Sequence, residues 1–277
     1  MRFSPEELNL ARQHLLDRIV EYFLTKKGVE ALYIQGSVAA NSADEFSDID
    51  FRVVIQPELY EQIVSERFSA PRQWGEWLYN EWAGNPWVCV SHYQPFNKVD
   101  VLYFQPKELK PSPWYLLPTQ LIYDPQDLVK EVIQASYGLE YTLDIREVDR
   151  LISKGLAYAE EVYRRVMRDE LFYAQSQLDS FRGILIQFDD YDRKSLPSSG
   201  LGSPSHFEQR GSKTLIEGLK LSYATLDKQS ILYALGELLK IYQHQVVKLH
   251  ETLSLQRDKA TDLSWIHAIL QLCDTSS

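Results

Sequence analysis

Residues 34–51 read IQGSVAANSADEFSDIDF, and the organisation of the chain follows from this stretch. Ile34 lies in a short apolar run, Ala31 to Gln35, of the kind that forms a buried strand, and Gly36 ends it. Beyond the spacer, Ile49, Phe51, Val53 and Ile55 alternate with Asp48, Asp50, Arg52 and Val54. A second strand is therefore expected from Asp48 to Ile55, with one apolar face and one face that carries acids. Its Asp48 and Asp50 project from the same face with α-carbons about 6–7 Å apart, a spacing that suits metal. Two carboxylates can hold one or two magnesium ions, and a metal pair about 3.5–4 Å apart stabilises the attacking and leaving oxygens of an in-line phosphoryl displacement.

Gly36 and Ser37 stand where the first strand ends. A glycine there lets backbone N–H groups approach a phosphate and the serine adds a hydroxyl, so the pair is expected to grip a triphosphate. Asp100, flanked by Val99 and Val101, lies in an expected strand from Val99 to Phe104 and completes the acid set if the strands are adjacent. Asp-x-Asp alone is common and Gly-Ser alone is usually a plain turn. The conjunction of strand, Gly-Ser, spacer, Asp-x-Asp within a strand and a later strand acid is what carries information.

Around this core, Leu8, Leu15, Ile19 and Phe23 recur at helical spacing, so an opening helix is expected over residues 5–26 with Ser4 as its N-cap. Further strands are expected at Trp87–Ser91 and Leu121–Tyr123, the latter at an edge. Trp74, Trp77, Tyr79, Trp82 and Trp87 crowd the stretch between the acids; rings of this kind can stack on a base or sugar, and core packing is the default for most of them. Near residue 143 the pattern changes. From Ile145 to about Gln187 apolar residues recur three to five apart, as in one long helix or two consecutive ones. Residues 189–210, with Pro197, Gly200, Gly202 and Pro204, read as a loop. Helical patterns follow at 213–223, 230–252 and 263–273. The expected fold is α/β (α+β): a catalytic domain over 1–142 with a mixed β-sheet flanked by helices, then a C-terminal α-helical bundle domain over 143–277 that binds substrate.

Composition narrows the function. Of 277 residues, 44% are hydrophobic and 25% charged, as in a globular protein. The formal charge of −10 disfavours nucleic acid, which needs clustered Lys and Arg, and leaves small or cationic substrates. The polar start and the lack of a long apolar run predict a cytoplasmic protein without a membrane partner. The two cysteines, Cys89 and Cys273, lack metal or redox spacing. The oligomeric state is left open, a homodimer included.

The pattern of Ile34, Gly36, Ser37, Asp48, Asp50 and Asp100 resembles the nucleotidyltransferase superfamily of the polymerase-β type. GSVAANSADEFSDIDF looks most like its small-molecule branch, the aminoglycoside and lincosamide adenylyltransferases. The resemblance implies transfer of AMP from ATP, or of another nucleoside monophosphate from its triphosphate, to a hydroxyl of a small acceptor such as an aminoglycoside-like antibiotic. It implies two Mg2+ ions on Asp48, Asp50 and Asp100. In the second half the resemblance rests on KGL at 154–156 and RDELFYA at 168–174. Lys154 is then expected to reach the triphosphate. With the three acids committed to metal, a separate general base is useful, and Glu170, read as bordering the apolar stripe of a helix near the acceptor, is the first choice, with Asp169 and Asp179 as rivals. The competing readings are a protein-modifying enzyme of the toxin–antitoxin type and a non-catalytic nucleotide-binding regulator.

Overall fold

The computed structural model describes residues 3–81, 84–194 and 196–275; Trp82, one of the clustered aromatics, lies outside them. The chain divides into two compact units, Met1–Glu140 and Tyr141–Ser277. The described residues form a mixed α/β protein with a six-stranded sheet and flanking helices in the first unit and helices alone in the second. Among the described residues no helix is long and apolar enough to cross a membrane.

In the first unit, α1 (Pro5–Leu24) opens with the expected cap. The Ser4 side chain accepts from the Glu7 N–H, and the Glu7 carboxylate accepts from the Ser4 N–H. The strands are β1 (Val29–Gln35), β2 (Ile49–Ile55), β3 (Trp77–Glu81), β4 (Val88–Tyr93), β5 (Asn97–Phe104) and β6 (Thr119–Tyr123), in sheet order β3-β4-β5-β2-β1-β6. β6 forms an edge as expected. Every pairing is antiparallel except β2 with β5, which run parallel with Asp50 opposite Asp100.

One sheet face is closed by α1 and by α3 (Pro57–Ser65). Leu15, Ile19 and Phe23 of α1 and Ile63 of α3 pack with Ile49, Phe51, Val53, Val99, Val101 and Tyr103. The other face has only a small apolar patch, Ala31, Tyr33 and Val54 under Val129 of α4 (Leu128–Ser136). Asp50 and Arg52, which alternate with the buried set of β2, belong to this second face. Of the clustered aromatics Trp74 is core. Tyr79 and Trp87 are exposed, contrary to the default, with Tyr79 stacked on His92 at 4.5 Å between ring centroids.

The second unit contains α5 (Ile145–Met167), α6 (Leu171–Asp192), α7 (Phe207–Arg210), α8 (Lys213–Leu221), α9 (Lys228–Thr252) and α10 (Lys259–Thr275). The expected loop over 189–210 is shorter than the sequence suggests. α6 carries Asp189 and Asp190 into the interior, where Arg193 pairs with both at 2.8 and 3.1 Å and Arg210 reaches Asp190 at 3.0 Å. Paired this way, two acids can continue a buried helix. The Gly-rich turn is tied to the same acid, the Gly202 N–H donating to Asp190 Oδ2 at 3.0 Å.

Tyr242 of α9 lies at the centre of this unit, fully buried, against Phe181 and Phe188 with its hydroxyl donating to the Ile152 carbonyl at 2.5 Å. It fits because residue 155 is glycine: a β-carbon there would come within 2.7–2.8 Å of the Tyr242 ring and hydroxyl. Gly155→Val is therefore expected to destabilise the protein by at least about 2 kcal/mol, since overpacking typically costs ~1–3 kcal/mol and valine regains little helix propensity over glycine. Chemical denaturation of the two proteins checks this, and an unchanged midpoint would refute it.

Candidate active site

The acids gather at one end of the open sheet face, where β1 ends and β2 and β5 begin. Parallel pairing in register sets Asp50 directly beside Asp100. Asp48 immediately precedes β2, and Gln35, the last residue of β1, pairs with Asp50. The chain then turns through Gly36, which adopts a positive φ of +72°, into the single helical turn α2 (Gly36–Ala39) that begins with Gly36 and Ser37. A β-carbon at residue 36 would collide with Asp50 Oδ2. Glycine is thus required twice, by its conformation and by its closeness to the acid.

The spacer between Gly-Ser and Asp-x-Asp is fixed from behind. Arg12 of α1 is buried, and its guanidinium donates to the carbonyls of Asp44 and, at 3.4 Å, Ser47 while holding Asn9 Oδ1 at 2.6 Å. Within the spacer the Ser47 hydroxyl and the Phe46 N–H donate to Asp44 Oδ1 at 2.9 and 3.0 Å. These bonds hold Asp44 below the usual carboxylate range.

Two cations that the motif reading overlooked complete the cluster. Lys98 Nζ lies 2.8 Å from Asp48 Oδ2 and 3.2 Å from Asp100 Oδ2. Arg52 Nη2 lies 3.3 Å from Asp50 Oδ1, and the same guanidinium donates to Gln35 Oε1 and to the carbonyls of Phe51 and Asp100. Both were detectable, since Lys98 stands two before Asp100 and Arg52 two after Asp50, each on the face of its acid. Burial pushes the Asp50 carboxyl above its ordinary value; Asp48 adds to this and Arg52 only partly offsets it. Asp100 is raised likewise, first by burial and then by Asp48 and Asp50, against the pull of Lys98. Burial opposes the Lys98 charge, but its bonds to the two acids outweigh that and its pKa is raised.

Magnesium suits the donor set, which consists of hard carboxylate oxygens. Asp100 Oδ1 is also buried without a hydrogen-bond donor, an acceptor that a cation would satisfy. Among the described residues, however, no three acidic, His or Cys side chains are gathered as a ready-made metal cluster. Asp48 and Asp100 turn to Lys98, and Asp50 turns to Arg52.

The remaining expected residues lie in the second unit. Asp169 takes a left-handed φ of +64° and closes α5, with the Glu170 N–H donating to the Arg165 carbonyl at 2.9 Å and the Asp169 N–H to Val166 at 3.1 Å. Glu170 is consequently not on a helix face, as the periodicity suggested, but in the break before α6, as its N-cap residue. Its carboxylate is paired with Arg165 and, at 3.1 Å, Arg168, and the Arg165 bond holds its pKa below the ordinary value. The rivals are paired too, Asp169 with Lys228 at 3.3 Å and Asp179 with Arg182 at 2.5 Å. Lys154 places its ammonium 4.5 Å from the centre of the Tyr158 ring.

Residues 16–114 match the nucleotidyltransferase domain family. This part of the chain is thus similar to nucleotidyltransferase domains. It spans α1 from Leu16, the strands β1 to β5 and all three acids. No curated protein matches the chain. Solved structures similar over most of its length include an aminoglycoside 6-adenyltransferase from Bacillus subtilis, at 14% identity and a TM-score of 0.42, covering 95% of this chain and 97% of that one. A nucleotidyltransferase-like protein from Exiguobacterium sibiricum is 16% identical with a TM-score of 0.41, covering 94% and 89%. A spectinomycin adenyltransferase from Enterococcus faecialis, solved with ATP and spectinomycin, is 14% identical with a TM-score of 0.35, covering 95% and 98%.

The raised carboxyls have a consequence for stability. A carboxyl whose folded pKa exceeds its unfolded value binds its proton more tightly when folded, so its stabilising contribution is present at low pH and is lost as pH rises through the folded value. At neutral pH the ionised Asp100 is a cost. Asp100→Asn should therefore melt higher than wild type at pH 7, with the gap closing as pH falls toward the ordinary value of 3.8. Thermal melts across that range test this; a variant less stable at pH 7 would contradict the assignment.

Proposed function

We propose that the nucleotidyltransferase domain transfers AMP from ATP to a hydroxyl of a small molecule and releases pyrophosphate. One observation carries this reading: Asp50 and Asp100 lie in register on adjacent parallel strands, with Asp48 beside them and a β-carbon-free turn at Gly36 against Asp50. In the reaction the acceptor oxygen bonds to the α-phosphorus, the bond from that phosphorus to the α–β bridging oxygen breaks so that pyrophosphate leaves with its electron pair, and the hydroxyl proton passes to solvent. Asp48, Asp50 and Asp100 would hold Mg2+, which supplies charge stabilisation to the attacking and leaving oxygens when bound. Gly36 and Ser37 grip the triphosphate through close backbone approach and the serine hydroxyl. Arg12 keeps the spacer, and with it the start of β2, in place. The acceptor class rests on the likeness of GSVAANSADEFSDIDF to small-molecule adenylyltransferases, and the formal charge of −10 favours a cationic acceptor.

The test is a screen of purified protein with each nucleoside triphosphate labelled at the α-phosphate, magnesium, and a panel of aminoglycosides, lincosamides and proteins. Label from ATP is expected in a small acceptor, and Asp48→Asn or Asp50→Asn should reduce transfer at least about a hundredfold in folded protein. Transfer unaffected by either change would remove the acids from the chemistry, and label in protein alone would replace the acceptor class.

Glu170, carrying two arginines and a lowered pKa, is a weak proton acceptor. Glu170→Gln is accordingly expected to keep turnover within about twofold of wild type, whereas a working base contributes about 10²–10⁴. A loss of that larger size would restore Glu170 as the base.

A further inference from the structure

The acid cluster already contains positive charge, and its two cations are held in different ways. Arg52 is anchored: besides Asp50 it bonds Gln35 and two backbone carbonyls. Lys98 contacts polar groups, among the described residues, only at Asp48 and Asp100. Its ammonium is a compact charge on a flexible four-carbon stem, which can swing away without breaking any other bond. Three carboxylates against two cations leave the cluster one negative charge. A divalent ion that joined with Lys98 still in place would face a like charge a few ångströms away, in partly buried surroundings where water screens it only in part. Lys98 must therefore give way. A half-buried ammonium deprived of both partners is costly in turn, unless another anion takes their place.

We propose that Lys98 is an exchangeable counter-cation. In the nucleotide-free protein it holds Asp48 and Asp100, and when metal and nucleotide arrive it passes from these carboxylates to the triphosphate. This rests on the nucleotidyl-transfer reading and adds regulation to the same site. Metal alone binds weakly because it must displace Lys98 with nothing to receive it. Metal and nucleotide therefore bind with positive coupling, each easing the other.

The experiment uses full-length protein and Mn2+ as the probe, its free concentration read by electron paramagnetic resonance, first without nucleotide. Lys98→Met should bind Mn2+ about tenfold more tightly than wild type, and Lys98→Arg, which keeps the charge, should stay close to wild type. ATP is then titrated at saturating Mn2+, without acceptor. Here Lys98→Met should bind about tenfold more weakly. The opposite signs of the two shifts separate exchange from a merely structural role, which would weaken both. Lys98→Gln, neutral and polar, should reproduce the pair of shifts and serves if the methionine variant does not fold. Equal Mn2+ affinity in variant and wild type, or two shifts of the same sign, overturns the proposal while leaving the transfer reading intact. Failure of every protein to bind Mn2+ even with ATP overturns both.

Discussion

Everything at the candidate active site depends on one strand pairing. In a sheet otherwise built from antiparallel neighbours, β2 and β5 run parallel, and this sets Asp50 and Asp100 side by side at the same height. Sliding β5 by one residue would turn Asp100 into the core and Val99 or Val101 out of it. The register is guarded by the buried face of the same strands, where Ile49, Phe51 and Val53 meet Val99, Val101 and Tyr103 beneath α1 and α3. Apolar packing on one side of the sheet thus fixes electrostatic geometry on the other.

That geometry is held against the preference of its members. Acids crowded together and partly removed from water resist ionisation, and the raised pKa values of Asp50 and Asp100 express this directly. Lys98 and Arg52 offset part of the cost, and the orphaned Asp100 Oδ1 marks what they leave uncompensated. A cluster under such tension is well matched to a divalent cation. The close fit of Gly36 against Asp50 and the grip of Arg12 on the spacer keep it from relaxing.

Much of this was legible in the sequence. β1, buried on both faces, followed from a short apolar run that a glycine ends, and β2, β5 and the opening helix followed from period to within a few residues because each has one cleanly apolar face. The acids could be placed on one side of their strands for the same reason. The counter-cations belong to no motif of their own, although Lys98 and Arg52 share the faces of the acids by simple alternation. The break at Asp169 was hidden more deeply. Arg168, Asp169 and Glu170 are tolerated in helices and no Gly or Pro marks the stop, so the periodicity ran through a site where an aspartate takes the left-handed role usually given to glycine. Arg12 is invisible to any local rule, since a buried arginine reaching carbonyls more than thirty residues away is a property of the folded chain alone.

The parallel pairing also bears on how the site comes into being. β1 and β2 meet across a short spacer, an encounter that is cheap and fast for a growing or refolding chain. β5 begins about forty residues after β2 ends, and a parallel partner cannot be supplied by a tight hairpin; the connection runs through α3, β3 and β4. Asp48 and Asp50 thus belong to a local pairing, whereas Asp100 and Lys98 join them through a long-range one. The set of charges at the candidate site is therefore complete only in a molecule that has made this non-local pairing.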